Sequence, residues 1–156
     1  MRGHDEIIEF LNEVLTAELT AVNQYFVHAK LCDHWGFERL ASHFREDSME
    51  EMRDIEAYMD RVLLLGGLPN LQRLDSFQVG ESVGEAIDLG IALETRAVEQ
   101  LKDAVRLVDD AGDVGTFELL TPKVPEEEAQ LDWLTTQKGL IEQLGEPLYL
   151  SLQVGE

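Results

Sequence analysis

The chain has a single cysteine, Cys32, so no disulfide can form within it, and that usage fits a reducing compartment. Its 156 residues include only 4 prolines and 12 glycines, which excludes collagen-like and low-complexity classes. Basic residues are equally scarce. Against 32 Asp and Glu there are 12 Lys and Arg, a formal charge of −20 at pH 7. That charge repels a nucleic-acid backbone and an anionic membrane surface, leaving cations and basic surfaces as expected partners. No apolar run reaches the roughly 18 residues of a membrane span. The opening MRGHDEIIEF carries acidic residues where a secretion signal needs an apolar stretch. A cytoplasmic protein with no membrane span is therefore expected. The 44% hydrophobic content is enough for one domain over residues 1–156.

The prolines and glycine pairs divide the chain into helical stretches. From Asp5 to His34 neither residue type occurs, and Ile7, Leu11, Val14, Val22, Tyr25 and Ala29 recur in helical steps. A second stripe, Leu40, Phe44, Ile55, Tyr58, Val62 and Leu65, ends at Gly66, Gly67 and Pro69. The connection around residues 68–80 is too long for a tight turn and suits a crossover between parallel helices. A third helix follows with Val83, Ile87, Ile91, Val98, Leu101, Val105 and Val108 inward. The spacing thus predicts helices at about 5–34, 38–65, 82–111 and 116–144, with a short fifth at about 147–153. Pro122 and Pro125 should kink the fourth or make it restart near Pro125. The predicted fold is all-α: a four-helix bundle with a long crossover between helices two and three.

Each stripe is broken once by a glutamate. Glu18 interrupts the first, Glu51 the second, Glu94 the third and Glu127 the fourth. An unpaired buried carboxylate costs several kcal/mol or stays protonated, so four aimed at one bundle centre call for a shared cation. Three residues after Glu51 and Glu127 stand Asp54 and Gln130, and no histidine follows His43. His28 lies ten residues from Glu18, about 15 Å along the helix. His4, His28, His34 and His43 therefore read as surface or helix-end residues.

The segments LNEVLTAELTAVNQYFVHAK, DSMEEMRDIEAYMDRVL, GGLPNLQ, ALE and EEEAQLDWL together resemble bacterioferritins over nearly the whole chain. The resemblance implies a ferritin-like five-helix subunit in a hollow shell of twenty-four, storing iron as a ferric mineral. It implies a b-type haem between two subunits, its iron held by one methionine from each, which here falls on Met52. Leu19, Asn23, Phe26, Met49 and Leu71 would border the porphyrin. A thioether is a soft ligand suited to ferrous haem iron. The resemblance also implies a di-iron ferroxidase centre built from Glu18, Glu51, Glu94 and Glu127, with Tyr25 nearby. That family pattern places a histidine three residues after each of the second and fourth glutamates. Asp54 and Gln130 occupy those positions, so both iron positions lose their nitrogen donor.

Glu46, Asp47 and Glu50 read as a charged face of the second helix, either simply solvated or, inside a shell, attracting ferrous ions. The leading reading is a haem-bearing storage subunit with a weak or absent ferroxidase centre, co-assembled with a second bacterioferritin chain and reduced by a small ferredoxin. The alternative is an active ferroxidase that uses an altered carboxylate-rich di-metal centre. A DNA-protecting mini-ferritin is disfavoured by the acidic charge, the C-terminal segment and the lack of a basic tail. A rubrerythrin-like enzyme would need a Cys-rich domain that one cysteine cannot build.

Overall fold

The computed structural model describes residues 4–155, and every described regular element is a helix. α1 (Asp5–His34) and α2 (Glu38–Leu64) are joined by three residues, so they pack as an antiparallel hairpin. Gly36 makes that turn at φ 93°, a region costly for any residue with a Cβ. The chain then runs to α3 (Val83–Asp110), which packs against α1 and against α5 (Lys123–Leu144). A short α4 (Val114–Leu120) precedes α5, and α6 (Glu146–Ser151) closes the described chain. Among the described residues no helix is long and apolar enough to cross a membrane.

The direction of α3 is set by how the crossover lies on α1. Asn12 donates to the Leu68 carbonyl and accepts from the Asn70 amide. Arg73 then donates to Thr16, the Asp75 amide to Thr20 and the Gly80 amide to His28 Nε2. The connection therefore climbs α1 in order, from its first turns towards its C-terminal end. It delivers α3 to the end where α2 began, and the two helices run parallel. Ser82 caps α3 by accepting from the Glu85 amide.

The last long helix restarts two residues earlier than the prolines predict. The break falls at Thr121–Pro122, and Pro125 lies inside the first turn of α5. First-turn amides have no partner within the helix, so a proline there forfeits no hydrogen bond. The segment before the break is a separate helix starting at Val114. Asp113 caps it by accepting from the Thr116 amide, and Arg61 pairs with Asp113 at 2.7 Å.

Two apolar clusters fill the bundle. One holds Leu11, Leu15, Ile55, Val62, Leu101 and Leu120, the other Tyr25, Phe44, Ile87, Leu93, Leu134 and Tyr149. Along every long helix, Glu18, Glu51, Glu94 and Glu127 fall in sequence between these two groups. The lone Cys32 is buried and its thiol is pushed up to about 12 by burial, so it packs as an apolar residue.

His28 is not at the surface, as its sequence position led us to expect, but 1% exposed beneath the crossover. Burial lowers its imidazole from 6.5 to about 4. Between those values the unfolded chain binds the extra proton, so stability falls as pH falls below 6.5. Going from pH 7 to pH 5 should cost about 2 kcal/mol through this group. His28→Gln keeps an acceptor for Gly80 and does not titrate. Urea unfolding at both pH values should show a smaller loss in the variant, and an equal loss would contradict this assignment.

Candidate functional site

Glu18 of α1, Glu51 and Asp54 of α2 and Glu127 of α5 each present a carboxylate oxygen, and these oxygens all lie within 4.8 Å of one another. Glu51 and Asp54 share a face because residues three apart on a helix are neighbours. Glu94 of α3 is fully buried but falls outside this group of four, accepting a hydrogen bond from the Tyr25 hydroxyl at 2.5 Å. The five carboxyl groups thus come from all four long helices. One buried oxygen on Glu18 and one on Glu94 have no hydrogen-bond partner, nor has the Tyr58 hydroxyl.

Burial holds the Glu18 carboxyl well above the ordinary carboxylate range, and the charges of Glu127 and Asp54 push it further. Burial likewise raises Glu94, with the adjoining Glu127 carboxyl adding to it. Tyr58 is raised by burial and then by Glu18. Groups in this condition release their protons to a cation that can coordinate them. The donors are hard oxygens, which suit ferrous, ferric or other hard cations.

The two residues in the histidine positions are both taken up by neighbours in this chain. Asp54 Oδ1 lies 2.7 Å from the ammonium of Lys123, which is also 3.5 Å from Glu126. Gln130 donates to Asp47, and its oxygen lies 3.2 Å from His43 Nε2. Asp54 therefore joins the carboxylate group as an already paired ion, and Gln130 belongs to a side network outside it. A two-metal centre with six free protein donors does not fit this arrangement. A carboxylate site for one hard cation does.

Several of these residues escaped the sequence reading. Lys123 precedes Glu127 by four residues and so faces the same way, a signal that was available but depended on where α5 begins. His43 is half-buried and stacked on Trp133 with ring centroids 3.4 Å apart, contrary to the surface role expected of it. Burial lowers its imidazole, but the adjacent Asp47 outweighs that and leaves it raised above 6.5. Asp47, expected on a solvated face with Glu46 and Glu50, is buried against His43 at 3.2 Å. Glu46 and Glu50 are exposed, and Glu46 pairs with Arg53.

Outside the bundle, Leu19, Asn23 and Phe26 recur at helical spacing along α1, and Met49 and Met52 lie one turn apart on α2. Met52 is 47% exposed, Phe26 40%, and Met49 and Leu71 are exposed too, whereas Leu19 and Asn23 are half-buried. Arg45 lies over the Phe26 ring, 5.7 Å from its centroid. Exposed apolar side chains grouped in this way mark a surface that something covers. Met52 adds a soft thioether sulfur to that surface.

A family model described as a ferritin-like domain matches residues 8–144. The chain is 48% identical over 151 residues to a bacterioferritin of Streptomyces coelicolor, covering 97% of this chain and 90% of that one. It is 46% identical over 149 residues to a bacterioferritin of Mycolicibacterium paratuberculosis, covering 96% and 94%. A bacterioferritin of Rhodobacter capsulatus is 37% identical over 145 residues, covering 93% and 90%. With the crossover bundle and the buried carboxylates at its middle, these matches establish that the chain belongs to the bacterioferritin family of ferritin-like proteins.

Proposed function

We propose that this chain is an iron-storage subunit of a hollow bacterioferritin shell, holding b-type haem between pairs of subunits and oxidising ferrous iron slowly or not at all. One observation carries the reading. Asp54 sits in the cluster already paired with Lys123, and Gln130 is held outside it by His43 and Asp47, so neither offers a free donor in place of a histidine. Ferrous iron is the substrate in this reading, and its rapid oxidation needs two irons held side by side with a full set of free donors. The Glu18, Glu51, Glu94 and Glu127 carboxylates attract and hold the cation. In this chain they are not completed into a two-iron set.

Met52 of each of two subunits would hold haem iron by its thioether, and Leu19, Asn23, Phe26, Met49 and Leu71 would border the haem and exclude water from it. Haem held there adds one-electron chemistry, for which a small ferredoxin is a suitable donor. The exposed acidic side chains of Glu46 and Glu50 would concentrate ferrous ions electrostatically.

A second reading, a ferroxidase working through an altered carboxylate-rich centre, draws on the four oxygens within 4.8 Å. The two readings differ in what the cell must provide. A subunit with a slow centre needs a related chain with intact Glu-x-x-His pairs in the same twenty-four-subunit shell. Co-expression with such a chain, followed by native mass spectrometry, should show mixed masses, and mixed shells should oxidise iron faster than homomers. Strict self-sorting into two pure shells would contradict co-assembly.

A further inference from the structure

We propose that Lys123 is a built-in counter-cation of the carboxylate centre, its ammonium occupying the Asp54 side where a second metal would bind, so that the centre takes a single divalent ion. The ammonium and Asp54 are both mostly buried, 19% and 13% exposed at their side chains, and 2.7 Å apart. At that burial the pair is well shielded from solvent, and a metal at Asp54 would have to displace a tethered cation. The oxygens left without partners belong to Glu18 and Glu94, not to Asp54. The centre is therefore unequal: Asp54 is neutralised from within, whereas Glu18, with a carboxylate oxygen within 4.8 Å of it, and the nearby Glu94 each keep a buried, unpaired oxygen for an external cation.

Local structure explains how the lysine arrives there. The break at Thr121–Pro122 starts α5 at Lys123, one turn before Glu127, so both side chains leave the helix on the face turned to α2. Lys123 also contacts the more exposed Glu126, which holds the ammonium from the solvent side. A lysine so placed lets five carboxyl groups persist together without metal, and by occupying Asp54 it takes a donor away from any second ion.

The inference rests on membership of an iron-handling family, but its test reads metal count and stability, not oxidation rate or haem. Metal-stripped protein is titrated with Mn2+ alone, followed by calorimetry and electron paramagnetic resonance. The parent chain should take one tight ion per subunit with a magnetically isolated signal. Lys123→Met should admit a second ion and give a spin-coupled pair. It should also lose thermal stability when metal-free and recover it with Mn2+. Lys123→Arg keeps the charge and should remain at one ion. If Lys123→Met does not fold without metal, the double change Lys123→Met with Asp54→Asn removes both charges and should fold. Failure of that double variant to fold would overturn the proposal. A coupled pair in the parent chain, or identical stoichiometry and stability in Lys123→Met, would also overturn it. Absence of mineral formation would instead count against the storage reading and leave this result standing.

Discussion

Replacing Met52 by leucine is expected to remove haem from the protein completely while leaving a folded, helical subunit. Leucine matches the volume of methionine but has no donor atom, and the side chain is 47% exposed, so the fold should lose no more than about 0.5 kcal/mol. Met49→Leu, one turn away on the same surface, is the matching control and should retain haem. Haem per subunit, read from the absorbance of the reduced pyridine complex, decides between them. Unchanged haem in Met52→Leu would refute the assignment, and loss in Met49→Leu alone would transfer it.

The second large effect is a gain. Asp54→His with Gln130→His restores the two nitrogen donors, but the double variant deprives the Lys123 ammonium of Asp54 and leaves it only the more exposed Glu126. A unit charge about 4 Å from a metal ion opposes binding by several kcal/mol at the effective dielectric of a protein. Oxidation should therefore recover only weakly in the double variant. Adding Lys123→Ile should raise iron affinity and the oxidation rate by at least about tenfold over the double variant. Equal rates in the double and triple variants would show that Lys123 does not control access to the centre. His43 and Asp47 lose Gln130 in both, so that change cancels in the comparison.

Much of the fold was legible because the helical stripes are long and are interrupted at only a few places. The glutamates stood out for the same reason, each being the one charged residue in an apolar row. The interior partners were not legible from spacing. Whether Lys123 faces inward depends on the phase of α5, and that phase is set by a break at Thr121–Pro122 that the two prolines locate only to within a turn. His43 and Asp47 form an i, i+4 pair that reads as surface until Trp133 stacks on the imidazole from another helix. Likewise, the long connection was expected to cross between parallel helices. The side chains that guide it along α1, Asn12, Thr16, Thr20 and His28, fall at steps of four or eight and read as a solvated polar face until the crossover covers them.

Rapid mixing of ferrous iron with the oxygenated, unmodified homomer separates a slow storage subunit from a working ferroxidase. Ferric absorbance is followed as iron is raised from below to above two ions per subunit. A storage subunit with this centre shows no fast phase that saturates at two irons per subunit, only slow growth in proportion to added iron. A fast phase saturating at that ratio, with both irons located crystallographically between the glutamates, would contradict the storage reading.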